Sequence, residues 1–126
     1  MSEPLIGVIV AHTELAEALL VAVRAIAGED AGLVAVSNRG CDRAALTRDL
    51  EAAIGGRPAV LFTDMAGGSC AHTAVALARG RADLRVVTGV NLAMVVDFAF
   101  HRDLPVVEAA RRAVEIGRTA VGMVER

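Results

Sequence analysis

Val60-Leu61-Phe62-Thr63-Asp64-Met65-Ala66-Gly67-Gly68-Ser69 is the stretch from which the rest of this chain can be read. An apolar run stops at an acidic residue, two glycines follow, and a hydroxyl residue opens an alanine-rich segment of helical character. A buried strand that ends in this way carries Asp64 to the rim of a sheet. The glycines let backbone N–H groups crowd together ahead of a helix whose N-terminus favours an anion. The start of the chain closes a strand in the same manner, Ile6-Gly7-Val8-Ile9-Val10-Ala11-His12, again followed by a helical pattern. Ligands of an open parallel sheet bind outside the carboxyl ends of its strands, where the winding direction switches. His12 and Asp64 are expected to meet there.

Working outward, Thr13 is read as the cap of a helix over about Glu14–Ala27, with Leu15, Leu19, Ala22, Val23 and Ile26 on its inner face and Gly28 as its stop. A short strand at Leu33–Val36 precedes a helix capped by Asp42, whose inner face holds Leu46, Leu50, Ala53 and Ile54. After Pro58 and the strand Ala59–Thr63, a helix runs from about Ser69 to Arg79 and a fourth strand covers Leu84–Thr88. Leu92–His101 reads as a helix apolar on most sides, because Met94, Phe98 and Phe100 add to the face made by Leu92, Val95, Val96 and Ala99. Such a helix is deeply buried or pressed against another subunit, and a homodimer is expected. Pro105 opens a last helix with Val106, Ala110, Ala113, Val114, Gly117 and Val121 inward and Glu108–Arg112 spaced as an i,i+4 pair. Strict alternation of strands and helices predicts a single α/β domain over residues 1–126, a doubly wound parallel sheet with helices on both faces.

Composition narrows the function. Apolar residues make up 55% of 126 residues but aromatics only 2%, so the core is built from Ala, Val, Leu and Ile. The basic residues are all arginine, which excludes a catalytic lysine. With no Trp or Tyr and a net charge of −2, the chain has neither a stacking platform nor a basic footprint for nucleic acid. Cys41 and Cys70 show no metal-ligand spacing and are read as reduced thiols of a cytoplasmic protein. The acidic start Met1-Ser2-Glu3-Pro4 is unlike an export signal, and Arg24 and Asp97 interrupt the apolar stretches short of a membrane span.

Four segments, Val10-Ala11-His12, Thr63–Ser69, Thr88-Gly89-Val90-Asn91-Leu92-Ala93-Met94 and Ala113-Val114-Glu115-Ile116-Gly117-Arg118, resemble in collinear order the IIA component of the mannose family of the bacterial phosphotransferase system. The resemblance implies a mostly parallel five-stranded sheet, a homodimer, and a phosphotransferase that accepts a phosphoryl group from HPr on His12 and passes it to a histidine of a IIB component. It implies that Asp64 orients His12 and that Ser69 lies in the loop holding the phosphoryl group; the N–H groups of Gly67, Gly68 and Ser69 and the Thr13 side chain are expected around that group. It implies at most a peripheral relation to a membrane sugar permease. The chain is expected to carry no fused IIB domain, since it ends at Arg126. Its departures from the family pattern are Thr13 in place of glycine with Glu14 after it, Cys70 in place of proline, and His72 where asparagine is common. A phosphocarrier subunit of dihydroxyacetone kinases shares the fold, but the Gly67-Gly68-Ser69 loop is closer to the mannose group.

The chemistry stands without the family. A neutral imidazole has a lone pair on one ring nitrogen and can attack phosphorus with no general base, provided a carboxylate fixes the tautomer. No nucleotide or metal cofactor is required. Two other readings stay open: a regulatory homologue in which Thr13 and Glu14 have stopped turnover, and a metal-dependent hydrolase built on His12, Asp64 and His72. His72 is otherwise a surface residue in the first turn of its helix, His101 a solvent-facing residue near a favourable helix end, and Cys70 a packing residue.

Overall fold

A computed structural model describes residues 3–125; residues 1, 2 and 126 at the limits of the expected domain lie outside the described residues. Four strands, β1 (Ile6–Ala11), β2 (Leu33–Ser37), β3 (Ala59–Thr63) and β4 (Leu84–Thr88), alternate with α1 (Leu15–Ala27), α2 (Arg43–Ile54) and α3 (Gly68–Ala78). Two further helices follow, α4 (Leu92–Ala99) and α5 (Val106–Thr119). The sheet has the order β2-β1-β3-β4 and is parallel throughout, Val8 lying opposite Val34 on one side and Leu61 on the other. From β1 the chain winds outward to β2, then returns to the other flank for β3 and β4. The winding therefore reverses between β1 and β3, and these are the strands that end next to His12 and Asp64.

Alternate residues of the central strands feed two separate cores, as a sheet with a period of two and both faces covered demands. Ile9, Val60, Phe62 and Val87 pack with Ala16, Leu20, Val23, Val95, Phe98 and Ala113, from α1, α4 and α5. Val8, Val10, Leu61 and Leu84 pack with Leu46, Leu50, Ile54, Cys70 and Ala74, from α2 and α3. The aromatic content is concentrated at one point, where Phe62 and Phe98 meet edge to face with centroids 5.3 Å apart.

Several expectations change in detail. The sheet has four strands among the described residues rather than five. The apolar run left after α5 ladders with nothing, and Val121, Met123 and Val124 are exposed there; a segment without a neighbouring row of backbone donors has nothing to make it a strand. In α1 the buried face is Ala16, Leu20 and Val23, whereas Leu15 and Ile26 face outward. The helix begins one residue later than expected, with Glu14 rather than Thr13 at its N-cap position. In α5 the inner face is Ala109, Ala110, Ala113 and Gly117, while Val114 and Val121 lie outside it. Arg112 pairs with Asp97 of α4 through two bonds of 2.8 and 3.1 Å, not with Glu108. A two-pronged guanidinium–carboxylate contact is geometrically better than a flexible pair along one helix. Met94 and Phe98 lie inside the protein's own core, and of the three residues that made α4 look over-apolar only Phe100 is exposed.

Asp42 caps its helix as the sequence predicts, and Asn91 provides a second side-chain cap that the sequence reading did not name. Asp42 accepts the Ala45 N–H at 2.8 Å, and Asn91 accepts the Met94 N–H at 3.1 Å while donating to the Gly117 carbonyl at 3.0 Å. Asn91 thereby starts α4 and fastens it to α5 with one side chain.

Gly7 is the tightest point of β1. A methyl group there would meet Leu33 Cδ2 at 2.5 Å and the Phe98 ring at 2.7 Å, inside a packed core. Overpacking of that kind costs about 1–3 kcal/mol. Gly7→Ala is expected to lower the urea midpoint by that free energy with an unchanged slope; a midpoint equal to that of the unsubstituted chain would show that Leu33 and Phe98 have room to yield.

Candidate functional site

The carboxyl edge of the sheet brings together three loops, each starting where a buried strand stops. After β1, His12 leaves the sheet with its side chain 40% exposed. After β3, Asp64 leaves it with a side chain only 10% exposed, set against His12. The β1–β3 register, in which Val10 lies opposite Thr63, sets the two next to one another.

Asp64 Oδ2 accepts twice from His12, from the backbone N–H at 3.0 Å and from ring Nδ1 at 2.8 Å. The ring contact assigns the Nδ1–H tautomer, since a carboxylate at that distance needs a donor opposite it. Burial by itself would raise the Asp64 carboxyl, but the His12 backbone N–H and ring outweigh it and hold the group below the usual carboxylate range. The aspartate is therefore an anion facing the back of the imidazole. Nε2, with its lone pair, points the other way. A side-chain carbon on Gly68 would lie 3.9 Å from it, so the Gly68 backbone at the start of α3 is its near neighbour.

Gly68 has φ +88°, a conformation open to glycine and strained for other residues. Gly68 opens α3, so the start of that helix, whose first N–H groups have no partners within it, lies beside Nε2. Gly67 and Ser69 are exposed on the same turn. The His12 ring and the start of α3 are therefore neighbours, an arrangement in which backbone N–H groups can receive an anion.

The remaining expected residues are placed differently. Thr13 has φ +52°, the one non-glycine residue in the left-handed region among the described residues. Its N–H is already committed to Asn38 Oδ1 at 3.1 Å and its carbonyl to Ser37 Oγ at 2.6 Å. Only its hydroxyl is left to offer a phosphoryl group. Glu14 is paired with Arg39, which offsets the negative charge beside the site, though both side chains are solvent-exposed and the pair is weak. His72 is exposed and lines a cleft of about 230 Å³ between α2 and α3 together with Cys41, Asp42, Arg43, Leu46, Ser69 and Thr73. It stands outside the group of ligand-type side chains close enough to share an ion, so the trio His12, Asp64 and His72 is not assembled. That group among the described residues is His12, Asp64 and Cys70. His101 closes back on α4, with Nδ1 2.8 Å from the Asp97 carbonyl.

Two contributors were missed from the residue pattern. Asn38 bridges the loops, its Oδ1 on Thr13 and its Nδ2 3.4 Å from Ser69 Oγ, and Ser37 locks the Thr13 carbonyl. The signal was available: β2 is the other neighbour of β1, so a Ser-Asn pair at its end reaches the same edge. Cys70, fully buried in the first turn of α3, lies with Sγ 4.0 Å from His12 Nδ1. Burial, then the Asp64 charge, raise its thiol above the ordinary range.

The site thus lies in a doubly wound parallel domain, with a histidine oriented by a carboxylate at the switch point and the start of a helix beside it. Residues 7–115 match the EIIA-man family, described as the PTS system fructose IIA component, and the chain belongs to that family. It is accordingly related to phosphotransferase components of sugar phosphotransferase systems. Among solved structures it is similar to a mannose/sorbose specific IIA subunit from Enterococcus faecalis, at 27% identity over 98% of this chain and 97% of that one with a TM-score of 0.86. The fold is shared with a phosphotransferase system component EIIA from Streptococcus agalactiae, at 20% identity, 94% and 96% coverage and a TM-score of 0.87. It is also shared with a PTS IIA protein associated with the fucose utilization operon of Streptococcus pneumoniae, at 17% identity, 98% and 96% coverage and a TM-score of 0.78. No curated protein matches the chain significantly. No helix among the described residues is long and apolar enough to cross a membrane.

Proposed function

We propose that this protein is a cytoplasmic phosphoryl carrier that takes a phosphoryl group from HPr onto His12 Nε2 and hands it to a histidine of a IIB component. The observation that carries the reading is the 2.8 Å contact of Nδ1 with Asp64, which leaves the Nε2 lone pair facing the start of α3. As Nε2 attacks, a nitrogen–phosphorus bond forms to His12 and the one to the donor breaks. No proton has to leave the ring, because the nucleophilic nitrogen carries none. Positive charge develops on the imidazole, and the Asp64 carboxylate beside Nδ1–H stabilises it. Backbone N–H groups from Gly67, Gly68 and Ser69 receive the phosphoryl oxygens, with the Thr13 hydroxyl at the opposite margin. The bond made and the bond broken are of one kind, so the reverse step to IIB needs no further machinery.

The pairing of Glu14 with Arg39 and the accommodation of Thr13 by Ser37 and Asn38 favour a working carrier over a regulatory homologue that has lost turnover. The reading is tested by incubating the protein with phosphoenolpyruvate, enzyme I and HPr and mapping the label. An acid-labile, base-stable phosphoryl group on His12 is expected.

A homodimer is part of the same proposal. Phe100, Val121, Met123 and Val124 are 61–92% exposed, large apolar side chains that a second subunit would cover. Sedimentation at micromolar concentration is expected to give twice the chain mass, and a monomer there would count against it.

A further inference from the structure

Behind the acceptor nitrogen lies a cluster that phosphoryl transfer uses only in part. One donor atom from each of His12, Asp64 and Cys70 lies within 4.8 Å of the other two. His12 Nδ1 is 2.8 Å from Asp64 Oδ2 and 4.0 Å from Cys70 Sγ. The second observation is Asp64 Oδ1. Its side chain is nine-tenths buried, and Oδ1 has no hydrogen-bond partner among the described residues. A carboxylate oxygen stripped of water and left unpaired is unfavourable, and a cation bound to the same carboxylate offsets its charge.

We propose that His12 Nδ1, the Asp64 carboxylate and Cys70 Sγ form a binding site for a thiophilic divalent cation of the zinc type, and that filling it blocks phosphoryl acceptance at Nε2. Zinc bonds of about 2.0–2.3 Å in tetrahedral array place nitrogen and sulfur roughly 3.5 Å apart. The observed 4.0 Å closes to that by a small side-chain adjustment, and the nitrogen–oxygen contact opens by a similar amount. A water completes the four ligands. The sulfur donor selects zinc or cobalt over magnesium and calcium, which prefer oxygen alone. This is a different set from one using His72, and it inhibits rather than catalyses.

The block follows from proton accounting. On binding, the thiol proton of Cys70 passes to solvent as sulfur bonds the metal. The proton that Nδ1 shares with Asp64 moves to Nε2, so that Nδ1 can give its lone pair to the cation. Nε2 then carries hydrogen and has no lone pair with which to attack phosphorus. The site itself stands on the geometry; the block rests on the carrier reading for its consequence in transfer.

The test is a titration of the full chain with cobalt(II) chloride. One equivalent should bind with a thiolate-to-cobalt charge-transfer band in the near ultraviolet, and zinc chloride should displace it. Cys70→Ser and Cys70→Ala should each lose the band, while Cys41→Ser, which alters the other thiol, should keep it, with circular dichroism confirming the fold of each. Absence of a thiolate band, or its loss with Cys41→Ser instead, overturns the site. Nitrogen-15 imidazole spectra read the block without any phosphoryl donor. Nε2 should be unprotonated in the metal-free protein and protonated with one equivalent of zinc, and an Nε2 that stays unprotonated at saturation overturns the block. Metal-free protein that never takes label would instead count against the carrier reading and leave the cobalt result standing.

Discussion

His12→Ala is expected to abolish phosphoryl labelling by phosphoenolpyruvate, enzyme I and HPr, with the signal falling to background. The effect is total because the side chain supplies the atom that bonds phosphorus, and no neighbour can replace it. Asp64 faces the back of the ring, Cys70 is fully buried, and the His72 side chain lies in the cleft beside Ser69. His72→Ala and His101→Ala, which remove the other two histidines, are expected to keep the label. Since the imidazole is 40% exposed and its ring makes one strong contact, the substitution should leave the fold intact, as circular dichroism can check. Label that persists in His12→Ala would overturn the assignment of the acceptor.

His12 and Asp64 were legible in the sequence because each ends an apolar run with a chemically active residue, and parallel strands that end together bring such residues together. The same logic placed the α3 N-terminus. What escaped depends on rotation and on contacts across loops. The inner face expected for α1 ran through Leu15 and Leu19, but Ala16, Leu20 and Val23 are buried and Leu15 is exposed, because the rotation of a helix against the sheet is set by what it packs on. Arg112 had a suitable partner on its own helix and took Asp97 on another. Asn38 carries no motif, and its role appears only once β2 is known to flank β1. The fifth strand came from the family resemblance and not from any fifth strand-like run between helices, and the four-stranded sheet agrees with the residue pattern.

Asp64→Asn carries the second-largest expected effect. The amide is the same size and its oxygen can still accept from Nδ1–H, so docking of HPr should be preserved. What is lost is the negative charge that stabilises the imidazole as it turns cationic, together with firm control of the tautomer. An aspartate that orients a catalytic imidazole is worth up to about 10⁴-fold, and a decrease on the order of 10²–10⁴-fold in the rate of labelling is expected. Rapid-quench measurement of that rate, beside titration of HPr binding, separates the two contributions. A normal rate would mean that the 2.8 Å contact is structural only, and weakened HPr binding would mean that Asp64 belongs to the docking surface.

The central position of β1 has a consequence for how the chain acquires its shape during synthesis. β1 is the first strand made, yet its neighbours are β2 and β3, and the ring that closes over Gly7 belongs to Phe98. Its pairing partners are complete only when Thr63 has emerged, and its cover on the α4 side arrives later still. No N-terminal fragment can therefore bury its own apolar strand, in contrast to a bundle of hairpins that closes piece by piece. Contacts so distant along the chain are slow to form, and a nascent polypeptide of this architecture holds a hydrophobic ribbon open until most of the domain has left the ribosome.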